Sequence, residues 1–325
     1  MSLSPPLWRQ IQRKNFTSLE ALCSFLEIEP SDSQKLLKKP SFPLNLPLRL
    51  AEKITKKNID DPILLQFVPL LKEKDPSPLF VSDPVGDCQA QQSPKLLQKY
   101  SQRVLLITTG ACAMHCRYCF RQNYSYEPAT TGFTTELEAI RKNRECREVI
   151  LSGGDPLSLD DRVLAKLIDE IEGIAHVKRL RFHSRFPIGI PERITESFLE
   201  ILSSSSLQIY FVVHVNHPRE LDKEVLSALK KIQKLGIPLL NQSVLLRGVN
   251  DSVEVLQELF ERLVDHGITP YYLHQLDRVE GAAHFEVAEE KGLELMEELQ
   301  KRLSGYAIPR YVREVPGHPS KTPLF

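Results

Sequence analysis

Arg103-Val-Leu-Leu-Ile-Thr-Thr109 followed by Gly110-Ala-Cys112-Ala-Met-His-Cys116-Arg-Tyr-Cys119 reads as a strand that runs straight into a cysteine loop. The strand is rich in β-branched and apolar residues and is bounded by a glycine. The loop spaces its thiols C-x3-C-x2-C. Three thiolates can hold three corners of a [4Fe–4S] cube and leave the fourth iron free to bind a small molecule, and cysteine is the usual cluster ligand. Two other readings stay open. Structural zinc takes four ligands, and His115, wedged between Met114 and Cys116, is poorly placed to be the fourth. A disulfide with one thiol left over is the third reading.

Outward from this loop, the bulk properties narrow the class. A chain of 325 residues with 42% apolar content suits one large α/β domain with a smaller appendage. Its 42 Lys and Arg balance 42 Asp and Glu, so charge gives no argument for nucleic acid or a membrane surface. No apolar run approaches the ~20 residues of a bilayer span. The first ten residues lack a basic stretch leading into an apolar one, so no signal peptide is expected. Six cysteines with three clustered fit a cytoplasmic metal protein better than a disulfide framework. Cys23, Cys88 and Cys146 are expected to serve packing.

Residues 1–95 are rich in Pro and Lys and show short helical patterns. Thr17-Ser-Leu-Glu20 is a capping-box signature, with Leu19, Leu22 and Leu26 at helical spacing behind it. Asp60-Asp61-Pro62 and Asp75-Pro76-Ser77-Pro78 read as loops. This region is expected to be a mainly helical unit, and residues 96–325 the chemical core. In the core, strands are expected at 103–109, 148–152, 177–183, 207–215, 238–246 and 269–274. Helices are expected at 136–144, 160–171, 191–202, 221–235, 252–266 and 287–303. Such alternation implies parallel strands with right-handed crossovers. Six units predict an open, partial (β/α)6 barrel.

Polar residues collect where these strands end: the cysteines, Gly153-Gly154-Asp155, His183 and Arg185, His214 and Asn216-His217, then His274 and Asp277, with Gln242 inside the fifth strand. Ligands of α/β folds bind at that mouth. Ser152-Gly153-Gly154-Asp155-Pro156 can be a tight turn only, or a backbone that approaches a ligand closely. Lys321, in Pro316-Gly-His-Pro-Ser-Lys321, can be an exposed tail lysine or an amine that condenses with an aldehyde.

The cysteine loop and the glycine-rich end of the second strand resemble those of the radical S-adenosylmethionine enzymes. That resemblance implies an open iron that binds the amino and carboxylate groups of S-adenosylmethionine, and a 5′-deoxyadenosyl radical that abstracts a substrate hydrogen. A narrower likeness rests on residues 112–121, 152–157, 190–195, 241–246 and 281–285 and on the Pro-Gly…Lys321 tail. Over roughly residues 95–325 these are similar to the lysine 2,3-aminomutases. Tyr271-Tyr-Leu-His-Gln-Leu-Asp277, Cys119-Phe-Arg121 and the short C-terminus look most like the branch that makes β-lysine for modification of elongation factor P.

The resemblance implies conversion of L-α-lysine to β-lysine by radical 1,2-amino migration. Cys112, Cys116 and Cys119 would hold the cluster and Lys321 would carry pyridoxal 5′-phosphate. Ser152, Gly153, Gly154, Asp155, His214 and Gln242 would lie at the S-adenosylmethionine. Arg103, with Lys99 beside it, would anchor the cofactor phosphate. Arg121 would bind the substrate carboxylate, and Asp277 and Glu314 its side-chain ammonium. A reductant such as flavodoxin or ferredoxin and a functional link to an elongation factor P lysyl ligase also follow. The rival readings are a related aminomutase on another amino acid and a non-catalytic metal-bound scaffold.

Overall fold

The computed structural model describes residues 5–126 and 132–325. The first four residues of the stretch searched for a leader lie outside them. Ten strands form one sheet in chain order. They are β1 (Gln91–Ser93), β2 (Leu96–Tyr100), β3 (Arg103–Thr109), β4 (Glu148–Gly153), β5 (Arg179–Ser184), β6 (Gln208–His214), β7 (Leu239–Val244), β8 (Thr269–His274), β9 (Arg310–Arg313) and β10 (Thr322–Pro323). Neighbours from β3 to β9 pair in parallel. β1 and β2 add antiparallel strands at one edge, and β10 adds one at the other.

Register explains why the strand ends line up. Leu106, Leu151, Phe182, Phe211 and Leu239 pair across five successive strands and are all buried. Phe182 and Phe211 stack with ring centroids 5.7 Å apart. A one-residue slip would turn this whole row to the other face. Three residues further on, and so on the opposite face, His214, Gln242 and Tyr272 share one level.

The N-terminal helices are α1 (Leu7–Gln12), α2 (Leu19–Leu26), α3 (Pro30–Ser33), α4 (Leu48–Glu52) and α5 (Pro62–Phe67). The barrel helices are α6 (Thr134–Lys142), α7 (Asp161–Glu172), α8 (Phe186–Gly189), α9 (Glu196–Ser204), α10 (Lys223–Gln233), α11 (Val253–Asp265) and α12 (Glu289–Arg302). α7 shows their common logic. Asp160 caps it by accepting from Arg162 N, and Leu164, Leu167, Ile168 and Ile171 form the buried stripe. One buried apolar cluster runs from Trp8 through the barrel to Tyr311. Trp8 meets Phe186 edge to face at 5.5 Å. Among the described residues no helix is long and apolar enough to cross a membrane.

Five expectations change. Ser18 and not Thr17 caps α2, accepting from Ala21 N, and Cys88, expected to serve packing, is exposed. The helix expected over 191–202 splits into a tight turn, Pro191–Arg193, and α9. Thr195 restarts the helix by accepting from Phe198 N at 3.1 Å, while buried Arg193 bonds the carbonyls of Leu157 and Leu159. Asp61-Pro62, expected as loop, opens α5: Asp61 accepts from Ile63 N and Leu64 N, with Pro at the first helical position. The sheet also extends past the six expected strands through β1, β2, β9 and β10.

Candidate active site

The cysteine loop follows β3 and is braced by the N-terminal region, largely by residues between and after its helices. Asn15 Nδ2 donates to Ala113 O at 2.7 Å and Asn45 Nδ2 to Cys112 O at 3.3 Å. Arg117 N donates to Gln66 O, and its buried guanidinium is clamped by Glu73 at 2.5 and 2.8 Å. His115 stacks on Phe42 and lies 2.8 Å from Pro43 O, which holds its ring out of the thiol cluster. Burial pushes the Cys112 thiol well above its usual range, with Asp155, Cys119 and Cys116 adding to it. Burial and Cys116 push Cys119 up to about 11. The three thiols are thus near enough to perturb one another electrostatically. Among the described residues, however, no three His, Cys, Asp or Glu side chains are grouped to hold a single metal ion. Three half-buried thiols on one loop, without a fourth protein ligand, suit a cluster carrying its own sulfides, whose positive irons would favour the thiolates.

The end of β4 nests against this loop. A Cβ on Gly154 would sit 2.3 Å from Ala111 O, and Gly153 has φ +115°, a conformation that favours glycine. Gly154 N donates to Thr109 O and Asp155 N to Ala111 O. These amides thus turn to the cysteine loop and hold it against the end of β4. Ser152 Oγ accepts from Arg121 Nη1 at 3.3 Å. The Asp155 carboxylate is occupied by Leu157 N, Ser184 Oγ, Arg185 N and Phe186 N. Burial still lifts it to about 6. It fixes the end of β5.

Histidines line the interior. The His183 and His214 rings lie 5.8 Å apart, and the Nε2 of each is buried without a partner among the described residues. Burial takes His214 down to about 4 and His183 well below the usual range. His274 Nε2 lies 3.0 Å from Gln242 Oε1. Neutral rings with unmet polar atoms fit a polar ligand such as S-adenosylmethionine in the mouth.

A second charged group forms where the two ends of the sheet meet. Lys321 is folded back by β10, and its Nζ lies 2.6 Å from Glu314 Oε2. Tyr100 donates its hydroxyl to Glu314 at 2.7 Å. Lys99 stands 3.8 Å from Glu314 and 2.7 Å from Asp87. Asp87 in turn accepts from Arg121 Nε at 2.6 Å. Burial works to raise Glu314, but Lys321 and Tyr100 hold it below its ordinary value. Asp277 behaves oppositely: burial lifts it to about 7, Lys321 opposes this and Glu314 adds to it. A cleft of ≈ 210 Å³ opens here, lined by Leu79, Val81, Gln275, Asp277, Arg278 and Glu314. Arg103 is half-buried with its guanidinium 4.5 Å over the Tyr100 ring. Among the described residues it makes no ion pair, so it can still meet a phosphate.

Sequence reasoning passed over Asp87, Tyr100, Tyr118, Gln66 and Glu220. Their roles come from pairings across more than 30 residues, which no local pattern announces. Arg185 was noted only as a strand-end residue.

A family model described as "Radical SAM superfamily" matches residues 106–263. An L-lysine 2,3-aminomutase of Escherichia coli is 45% identical over 289 residues, covering 88% of this chain and 84% of that one. An L-lysine 2,3-aminomutase of Haemophilus influenzae is 39% identical over 319 residues, covering 97% and 94%. In fold, the chain resembles Streptococcus suis SuiB bound to S-adenosylmethionine. The TM-score is 0.50 at 15% identity, covering 67% of this chain and 51% of that one.

Proposed function

The chain belongs to the radical S-adenosylmethionine L-lysine 2,3-aminomutase family and is an isomerase, and we propose that it converts L-α-lysine to β-lysine. The observation that carries this reading is the pairing of Lys321 with Glu314, which lines one cleft with Asp277, in a barrel whose first parallel strand leads into the three cysteines. When bound, the cluster with S-adenosylmethionine would supply a hydrogen-abstracting carbon radical, and pyridoxal phosphate a carbonyl to carry the migrating amino group.

The chain's own residues hold and shield the substrate. Arg121 keeps donors beyond those given to Asp87 and Ser152, and a guanidinium has five. It would take the substrate carboxylate. Asp277 and Glu314 would take the ε-ammonium, and Tyr100 fixes the Glu314 rotamer. Lys321 would hold pyridoxal phosphate through its amine and Arg103 would meet the phosphate. Cys112, Cys116 and Cys119 would hold the cluster. The Gly153 and Gly154 carbonyls, with His214 and Gln242, would face S-adenosylmethionine. Two carboxylates at the far end of the site reject an acidic side chain, because like charges repel and buried unpaired charges are costly. The geometry thus favours lysine over glutamate.

The wording of residues 271–277 supports the finer reading that the β-lysine serves modification of elongation factor P, with a flavodoxin or ferredoxin as reductant. The test is anaerobic reconstitution with iron and sulfide, then incubation with S-adenosylmethionine, pyridoxal phosphate, a reductant and L-lysine, with chromatographic separation of products. β-Lysine is expected. A loaded protein that returns only α-lysine overturns the reading.

A further inference from the structure

We propose that Arg185 tunes the reduction potential of the iron–sulfur cluster by donating a hydrogen bond to Cys116 Sγ, with Glu220 and Gln66 holding it in place. The inference rests on the reading of Cys112, Cys116 and Cys119 as cluster ligands. Arg185 follows β5 directly. Its Nη1 lies 2.9 Å from Cys116 Sγ and also donates to the Tyr118 hydroxyl. Its Nη2 donates to Gln66 Oε1 at 2.6 Å and to Glu220 Oε2 at 2.7 Å. Its backbone N–H is pinned by Asp155 Oδ2 at 2.8 Å. The guanidinium lies 4.6 Å over Phe67 and 5.5 Å over Tyr118. The side chain is only 7% exposed and Glu220 is fully buried.

Such an arrangement does more than fill space. The guanidinium is held from five sides, so its aim at the sulfur is fixed. A cation that donates to a ligand sulfur draws electron density from the iron–sulfur bond and stabilises the reduced cluster, which raises its potential. Burial leaves this effect little screened by water. Glu220 tempers it, because its carboxylate sits on the same guanidinium. Glu220 is itself held by Asn216 N and His217 N at 3.0 and 2.9 Å. It is therefore a fixed counter-charge.

The test is a reductive titration, followed by electron paramagnetic resonance, of the anaerobically reconstituted full chain without S-adenosylmethionine. Arg185→Met is expected to shift the potential to more negative values, and Arg185→Lys to shift it less. Glu220→Gln removes the counter-charge but keeps an acceptor, and is expected to shift it to more positive values. A role confined to packing would not move the two variants in opposite directions. Wild-type potentials in both, or shifts of the same sign, overturn the proposal. Should Arg185→Met fail to retain a cluster, a Glu220→Gln potential at or below the wild-type value overturns it alone. A wild-type chain that takes up no iron and sulfide overturns the cluster reading itself.

Discussion

At the scale of single residues, the proposed ammonium site would make Asp277 a link between lysine binding and pH. Its ordinary value is 3.8 and in the fold it rises to about 7, by burial first and Glu314 third, with Lys321 opposing. The folded protein therefore holds a proton there that the unfolded chain has lost between roughly pH 4 and 7. Across that window the unfolded state binds fewer protons, so this group's contribution to stability falls as pH rises. Binding has the opposite sense. A lysine ε-ammonium stays charged throughout and favours the Asp277 carboxylate, so binding below pH 7 expels a proton. Lysine affinity of the reconstituted enzyme should rise with pH up to about 7 and then level off. Calorimetry at pH 6 in two buffers of different ionisation heat should show proton release. Asp277→Asn should abolish that release and weaken binding ~10–100-fold, as expected for a lost hydrogen bond to a charged group. A wild-type affinity that is flat from pH 5.5 to 8 would remove Asp277 from the ammonium site.

At the scale of elements, the close packing of the β4 end on the cysteine loop sets what the loop can bind. Gly154→Ala places a Cβ 2.3 Å from Ala111 O and 2.8 Å from Gly110 C, both backbone atoms. The loop must move. Iron and sulfide uptake should collapse while the far-ultraviolet dichroism stays near wild type. Gly305→Ala is the control, since its Cβ would meet nothing within 4 Å. Equal iron content in both variants would show that the contact does not position the loop. The same elements show what a sequence can reveal. β3, β4 and β6 were legible because their centres read as apolar runs, whereas β5, β7 and β8 mix in polar residues and were placed by their alternation with helices that carry clean stripes and caps. β1 and β10 were not, being three and two residues long at the sheet edges. The break before α9 was hidden because it depends on buried Arg193 reaching back to Leu157 and Leu159. Lys321, Glu314 and Asp277 were found by resemblance, whereas Asp87 and Tyr100 required the folded chain to bring the sheet edges together.

At the scale of the whole molecule, the N-terminal region and the barrel meet on the cysteine loop, so the site depends on both. Arg117 sits inside that loop with a side chain 1% exposed, and its counter-ion is Glu73, over 40 residues earlier. Phe42 O takes one more of its protons at 2.7 Å. Removing one partner of a buried pair strands the other charge and costs about 3–5 kcal/mol. Glu73→Ala should therefore lower the unfolding free energy by that order, read as a fall in the denaturant midpoint. It should also loosen the loop enough to weaken cluster retention, although Glu73 touches no cysteine. Glu27 and Lys56 form an ion pair in the same region with side chains 48% and 58% exposed. Breaking it by Lys56→Ala should leave the midpoint near wild type, since exposed pairs are screened by water. The comparison is made by urea denaturation of both variants with iron content measured beside it. If Glu73→Ala matches Lys56→Ala in midpoint and iron, the N-terminal region does not brace the cluster loop. If it loses both stability and iron, that region is a structural part of the catalytic mouth.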